Sequence, residues 1–192
     1  MKKPLSEMRL EELWALFPIS LVAPSEDRKS MWAGMYTDME RFLTEHLSDC
    51  RVVRISHIGS TAITGIWAKN IVDILLEIAA GENLNDVAEH IEAAGFLRMA
   101  SSAGRISFNW GYTEDGFAEK VYHLHLRHAG DNDELYFRDY LNERRPIAEE
   151  YERLKLDLWR KFEHDRDAYT NAKSAFVERY TAEARKTYPN RY

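Results

Sequence analysis

The chain has 192 residues, of which 45% are apolar, and its 26 basic and 32 acidic side chains give a formal charge of −6. This composition is typical of one globular domain and excludes disordered and collagen-like chains. Cys50 is the single cysteine, which excludes an intrachain disulfide and fits a reducing compartment. No apolar run reaches the ~18 residues of a membrane span, so we expect a cytoplasmic protein without a membrane partner.

The charges are unevenly distributed along the chain. Residues 1–119 have 11 basic and 18 acidic side chains, whereas residues 120–192 have 15 and 14. Neither part contains the basic tract that duplex nucleic acid requires, so duplex nucleic acid is not expected as a partner. A small phosphorylated ligand needs only a few local cations and stays compatible with an acidic chain.

Residues 1–50 are predicted to form a helical N-terminal extension. Ser6 is expected to be the N-cap of a first helix, which Pro18 ends. A second helix is predicted from about 28 to 46, because apolar residues recur there on one helical face. A plain core stripe is the favoured interpretation of this face, and a methionine-rich binding face is the alternative. Its members are Met31, Met35, Met39, Phe42 and Leu43.

Residues 51–130 are predicted to form the sheet core. β-Branched residues dominate 52–58, and 70–78 is a nearly continuous apolar run, as in a strand covered on both faces. Asn83 is the expected N-cap of a crossover helix that ends at Gly95. Three further strands are predicted at 96–99, 105–110 and 119–127.

Residues 131–192 are predicted to be helical. The three expected helices span 135–144, 147–162 and 168–186, and Pro146 opens the second of them. Along the chain, helices come first, a β-rich centre with one crossover helix follows, and helices come last. This order predicts a single α+β (α/β) domain with flanking N- and C-terminal helices.

The segment from His57 to Thr61 predicts an anion site. A strand that ends at Gly59-Ser60 and turns into a short helix presents backbone N–H groups and a hydroxyl to a ligand. Asp73 lies in the next strand, where a carboxylate among apolar residues is costly unless it is paired or binds a cation. These residues indicate a phosphate or metal site, and the alternative is a turn whose Asp accepts backbone hydrogen bonds.

His123 and His125 are two residues apart in a predicted strand. Their rings leave the same face about 7 Å apart, so they can converge on one phosphate or one metal. Next to the Asp73 strand they would form a carboxylate and two-imidazole cluster, which suits Mn, Fe or Zn better than Mg. The alternatives are His125 as general base, or two rings that only hydrogen-bond within the sheet. His57 is out of phase and is expected to be a packed or capping residue.

Cationic partners for a phosphate are few. For each of them the alternative is a solvated or salt-bridged surface group, and Lys173 is the preferred phosphate ligand. Trp110 is expected in the core, with stacking on a base as the alternative. The candidate cations are Lys69, Arg105, Arg138, Lys155 and Lys173.

Several separated blocks resemble the GrpB-like proteins, a branch of the nucleotidyltransferase superfamily with the polymerase-β-like fold. The resemblance implies a small mixed sheet whose turn at Gly59, Ser60 and Thr61 lies at nucleotide phosphates, with a divalent metal, Mg or Mn, at Asp73. A single transition metal held also by His123 and His125 is the other metal expectation. The resembling blocks are 57–77, 122–126, 137–141, 148–158 and 167–173.

One departure from this family pattern concerns the acidic residues. Active nucleotidyltransferases have two acids at i and i+2 of the strand after the turn, and here Leu75 takes the second place. Glu77 lies on the same strand face as Asp73 but about 13 Å from it along the backbone. It therefore cannot easily take the place of the missing second acid. Two divalent ions need several oxygen ligands, so ordinary two-metal chemistry is in doubt.

Three functions follow from the sequence. The first is a nucleotidyltransferase or related phosphoryl-transfer enzyme that binds a small nucleotide or phosphorylated metabolite, with Gly59 and Ser60 holding phosphates and Asp73 a metal. The second is a catalytically degenerate module that binds such a ligand without turnover. The third is a protein-interaction module that uses the terminal helices. Substrate identity and oligomeric state are not predicted.

Overall fold

The computed structural model describes residues 3–192. It has the predicted α+β architecture, a five-stranded mixed sheet with N-terminal and C-terminal helices around it. The strands are β1 Val52–Ile58, β2 Val72–Ile78, β3 Leu97–Ser102, β4 Arg105–Thr113 and β5 Gly116–His128. The helices are α1 Leu10–Leu16, α2 Glu26–His46, α3 Leu84–Ala93, α4 Asp133–Glu143, α5 Arg145–Phe162, α6 Arg166–Asn171 and α7 Ser174–Thr187.

The strand order in the sheet is β1-β2-β5-β4-β3. β2 and β5 are parallel, and the other neighbouring pairs are antiparallel. In the parallel pair, Asp73 lies opposite His123 and Leu75 lies opposite His125. The strand of the predicted carboxylate is therefore the direct neighbour of the strand of the two histidines.

The two faces of the sheet differ in chemistry. Ile74, Leu76 and Leu124 belong to the main core, which α2 and α3 cover. The opposite face of β2 presents the residues at alternate positions, Asp73, Leu75 and Glu77. This second face is the polar one, and it lies on the side of α4, whose Leu135 packs on Leu75.

The stripe on α2 belongs to the core, as the favoured interpretation expects. The helix begins after Ser25, whose side chain accepts a hydrogen bond from the Arg28 N–H at 3.1 Å. Met35 and Met39 are buried, whereas Met31 is 43% exposed and contributes little to the core.

The C-terminal helices form a second core layer. α4, α5 and α7 share an aromatic cluster with Ile63 and Ile66 from the segment between β1 and β2. The prediction of one helix over 168–186 is wrong, because α6 and α7 are separate. The Lys173 N–H bonds to the Thr170 carbonyl, a three-residue step that interrupts the four-residue ladder.

The predicted N-cap at Ser6 is also wrong. Leu5–Glu7 form a 3-10 turn, and α1 begins only at Leu10. The Glu12 carboxylate accepts a hydrogen bond from the Arg9 N–H at 2.6 Å, as in a capping box. This pairing fixes the helix start three residues later than expected. Within residues 3–192, no helix has the length and apolar content to cross a membrane.

Glu77 has a structural environment of its own. Its carboxylate is fully buried and accepts hydrogen bonds from Arg54 Nε at 2.6 Å and from the Gly130 N–H and Asn132 Nδ2 at 3.1 Å each. Since every one of these partners lies at the far end of β2 from Asp73, Glu77 joins β1 to the segment after β5.

We expect Glu77→Ala to lower the free energy of unfolding by about 3 kcal/mol, because it leaves the partly buried Arg54 guanidinium and the buried Asn132 amide without their acceptor. Urea denaturation of the variant and of the wild type measures this difference. The exposed Glu119→Ala variant is the control and should change stability by less than about 0.5 kcal/mol. Equal stability of the two variants would contradict the prediction.

Candidate functional site

The predicted turn folds directly against Asp73. Gly59 follows β1 and has a φ of +70°, and a Cβ built there would collide with the Asp73 carboxyl group. Ser60–Ala62 then form a single 3-10 turn. A glycine is therefore needed at this position both for its backbone conformation and for its close approach to the acid.

The Asp73 carboxylate contacts both predicted histidines. Its Oδ1 lies 3.1 Å from His123 Nδ1 and 3.6 Å from His125 Nε2. Burial by itself raises the pKa of Asp73, but the contacts with the two imidazoles outweigh burial and hold this pKa well below its usual value. Asp73 is therefore ionised across the physiological pH range.

A chain of hydrogen bonds leads from Asp73 to Arg166. An ionised carboxylate only accepts, so His123 Nδ1 donates to Asp73, and in the neutral form of the ring Nε2 is the acceptor. The Tyr112 hydroxyl lies 2.8 Å from that Nε2, and Arg166 Nη2 donates to the same hydroxyl at 3.0 Å. Tyr112 thus donates to His123 and links a cation to the acid.

The metal ligands that the fold family implies are only partly present. Among residues 3–192, no group of three or more His, Cys, Asp or Glu side chains is arranged to hold a metal ion. Leu75, at the place of the second acid, is fully buried, and both ring nitrogens of His123 already have partners. The described residues do not supply a two-metal centre, and a single metal at Asp73, His123 and His125 stays a prediction.

Four cations surround a cavity of about 230 Å³ next to Asp73. The ammonium groups of Lys69 and Lys173 lie 4.6 and 4.3 Å from the centre of the Tyr169 ring. Asp73 is the one carboxylate among the described residues that line this cavity. The cations are Lys69, Lys155, Arg166 and Lys173.

The lysines of this cavity are in an unfavourable environment for a positive charge. Burial first, and then neighbouring cations led by Lys173, lower the pKa of Lys69 and of Lys155 to about 7. Burial also lowers the pKa of Lys173 to about 8. In the part of the chain that the structure describes, none of the three has a carboxylate within salt-bridge distance; the lysines that do are Lys3, Lys29, Lys120 and Lys186.

A second, larger cavity of about 590 Å³ adjoins the first. The two cavities share Ser60, Asp73 and Lys173 among their lining residues. Arg105 lines the larger one but is paired with Asp131 through two hydrogen bonds of 2.8 and 2.6 Å. Asp73 therefore lies at the boundary between a strongly cationic cavity and a cavity of mixed charge.

Most of the predicted site residues come together around this boundary. The turn and both histidines meet Asp73, and Lys69 and Lys173 approach it from the loop before β2 and the start of α7. The residues brought together are Gly59, Ser60, Lys69, Asp73, His123, His125 and Lys173.

Thr61 and Arg138 lie outside both cavities. The Thr61 hydroxyl donates to the Ile71 carbonyl and contacts His57 Nε2 at 2.9 Å. Arg138 donates to the His57 carbonyl at 2.8 Å and to the Tyr192 hydroxyl at 3.0 Å. His57 itself stacks on the Tyr36 ring, and burial lowers its pKa to about 4, so it is a packed residue as expected.

Trp110 is a core residue, as expected, and packs edge-on against Phe42 and Phe96. Tyr112 and Arg166 were not predicted, and neither has a sequence pattern that marks it. Tyr169 could have been found from its spacing of four residues before Lys173, which on the predicted continuous helix would place the two side chains next to each other.

Sequence comparison identifies relatives over most of the chain. The family model described as "GrpB protein" matches residues 19–183. The "Glutamate-rich protein GrpB" of Alkalihalophilus pseudofirmus is 36% identical over 169 residues, which cover 83% of this chain and 92% of that protein.

Solved structures show the same fold. The crystal structure of the conserved protein GrpB from Enterococcus faecalis superposes with a TM-score of 0.73 at 24% identity, covering 88% of this chain and 99% of that one. The Cid1 poly(U) polymerase superposes with a TM-score of 0.53 at 12% identity, covering 79% of this chain and 46% of the polymerase. The fold is therefore nucleotidyltransferase-like.

We expect Tyr112→Phe to leave the proton of the neutral His123 ring on Nδ1, because Asp73 still accepts from it, and to alter only Nε2, which loses its hydrogen-bond donor. At a pH where the ring is neutral, the ¹⁵N NMR shifts of the wild type should report a protonated Nδ1 and an unprotonated, hydrogen-bonded Nε2, and in the variant the Nε2 signal should move toward that of a nitrogen without a hydrogen bond. Tyr36→Phe, whose ring stacks on His57, is the control and should leave the His123 signals unchanged. Unchanged shifts in Tyr112→Phe would contradict the hydrogen-bond chain.

We expect the stability of the ligand-free protein to rise between about pH 7 and about pH 9. In this range, Lys69, Lys155 and Lys173 bind more protons in the unfolded than in the folded state, since folding lowers their pKa values. Urea denaturation across the range measures the slope. Lys69→Met should flatten it and the exposed Lys161→Met should not, and a flat or falling wild-type curve would contradict the electrostatic picture.

Proposed function

This chain belongs to the GrpB family, and on that premise we propose that its cationic cavity binds the phosphates of a nucleotide or of another small phosphorylated metabolite. The strongest support is the convergence of four cations around one cavity beside Ser60 and Asp73. A phosphate chain offers several oxygens to lysine and arginine side chains that lack carboxylate partners.

Electrostatics favours a polyanion over a neutral ligand. Three lysines whose pKa values are lowered by burial and by one another are held at close quarters. A bound phosphate group would attract all of them and would restore their protonation, so binding would take up protons near neutral pH. The Ser60 hydroxyl and the N–H groups of its turn would donate to the same oxygens.

The four cations also affect whether phosphate binding needs a metal ion. Among the described residues, one carboxylate lies where a two-metal centre needs several, and four cations lie beside it. We therefore propose that lysine and arginine neutralise the phosphates and that binding requires no divalent ion. The Cid1 polymerase is selective for UTP and its structure has MgGTP bound, which makes nucleoside triphosphates the first ligands to test.

Phosphoryl or nucleotidyl transfer is the second candidate function, and the adjoining cavity favours it. Asp73 and Ser60 line both cavities, so a phosphate in the first would face an acceptor in the second. His125 lines the larger cavity beside Asp73 and could accept the proton of an acceptor hydroxyl.

Binding is tested by calorimetric titration with ATP, GTP, CTP, UTP and inorganic triphosphate, each with EDTA and with Mg²⁺ or Mn²⁺. We expect a triphosphate to bind in EDTA, with an affinity that falls between about pH 7 and about pH 9 as the lysines lose their protons. Lys69→Met and Lys173→Met should each weaken binding by about tenfold or more, as expected for a lost charged hydrogen bond. Lys161→Met is the matched control.

Absence of binding by the wild type, or full affinity in both cavity variants, would contradict the binding proposal. Transfer is tested separately, by ³¹P NMR of nucleotides incubated with alcohols and sugars as acceptors. His125→Gln should keep nucleotide affinity and lose product formation. A wild type that binds nucleotides and yields no product would leave the binding proposal standing and would make transfer the wrong candidate.

A further inference from the structure

A third cavity, of about 550 Å³, lies between α1 and the edge of the sheet at β3 and β4. Leu10, Leu13 and Trp14 of α1 line one side, and Leu97 and Met99 of β3 line the other. These walls are aliphatic and aromatic, unlike those of the cationic cavity. These apolar side chains of α1 are thus only partly used for packing, since none of the residues of α1 is buried.

The mouth of this cavity exposes large apolar side chains together. Leu10 is 53%, Leu97 47% and Met99 58% exposed, and all three line the cavity. Single exposed apolar residues are ordinary on protein surfaces, whereas a group of them around a concave site marks a binding surface.

One cation and a shared wall connect this apolar cavity to the cationic one. Arg166 and His123 line both cavities, so the two cavities meet at these side chains. Arg98 also lines the apolar cavity, but its guanidinium pairs with Glu92 and Asn85 of α3 and is not free for a ligand. The cavity is therefore mostly apolar, with Arg166 as the cation where it meets the cationic cavity and Asp167 beside it.

We propose that this cavity binds the hydrocarbon chain of an amphipathic phosphate ester whose phosphate lies against Arg166. The proposal rests on the proposed function, since Arg166 belongs to the cationic cavity as well. Leu10, Leu13 and Met99 offer apolar contact without hydrogen bonds, which matches a hydrocarbon chain. A nucleobase packed against these three side chains would leave its ring nitrogens and carbonyl oxygens without partners on that wall.

The experiment is calorimetric titration with n-alkyl phosphates from butyl to octyl, below their micelle concentrations. Affinity should rise about threefold for each added methylene group, as apolar burial requires. Octyl phosphate should bind at least tenfold more tightly than either inorganic phosphate or 1-octanol, because it alone uses both the cations and the apolar walls.

Variants at the exposed mouth locate the site. Met99→Ser and Leu10→Ser together should weaken octyl phosphate binding at least tenfold and leave triphosphate binding unchanged. Met31→Ser is the matched control, since Met31 is 43% exposed and lies outside this cavity. Arg166→Gln should weaken the binding of both ligands.

The outcomes separate this proposal from the previous one. Equal affinity for butyl and octyl phosphate, or unchanged binding in the double variant, would overturn the hydrocarbon site and leave triphosphate binding untouched. Equal affinity for octyl phosphate and 1-octanol would overturn the anionic part. If the wild type is a dimer that the double substitution dissociates, and if affinity does not depend on the length of the alkyl chain, the cavity is instead an interface with a second copy of the protein. If affinity for the alkyl phosphates rises with alkyl chain length and no triphosphate binds, the hydrocarbon site is supported and the nucleotide proposal is contradicted.

Discussion

The parallel pairing of β2 with β5 is the constraint on which the site depends. It sets Asp73 opposite His123 in the middle of the sheet, on the face that the main core does not use. A lone carboxylate there would be costly, and the two imidazoles and the turn at Gly59 compensate for that cost. The C-terminal helices then close over this polar face and bring three of the four cations to it, and the loop before β2 supplies Lys69.

The fold and half of the site follow from local sequence patterns. Strand periodicity, the Gly-Ser turn and the i, i+2 histidines are short-range features, so they predicted the convergence on Asp73. Arg166 and Tyr112 could not be found in this way, because they meet His123 only through tertiary packing of α6 against β4. At Ser6 a local pattern was misleading, since the Glu12 carboxylate caps a later helix start.

Local charge and net charge are independent in this molecule. The chain has a formal charge of −6, yet its cationic cavity is lined by four cations and one carboxylate among the residues described. Several acidic side chains are paired elsewhere, as Glu77 is with Arg54 and Asp131 with Arg105. Burial lowers the pKa values of the cavity lysines, but an anion that enters would favour their protonated forms, and its attraction to them would be screened less there than in water. An acidic protein can thus present a small interior surface of basic side chains that becomes fully charged when an anion binds.

The contact between Gly59 and Asp73 has an evolutionary consequence. The absence of a side chain at position 59 is required by the acid across from it as well as by the backbone angle. A substitution at either position therefore changes which residues the other position tolerates. A lineage that gives up the carboxylate gains room for a Cβ, but the backbone angle of the turn still favours glycine there. A relative with a larger residue at position 59 must therefore differ both in the path of the turn and in the placement of the acid across from it.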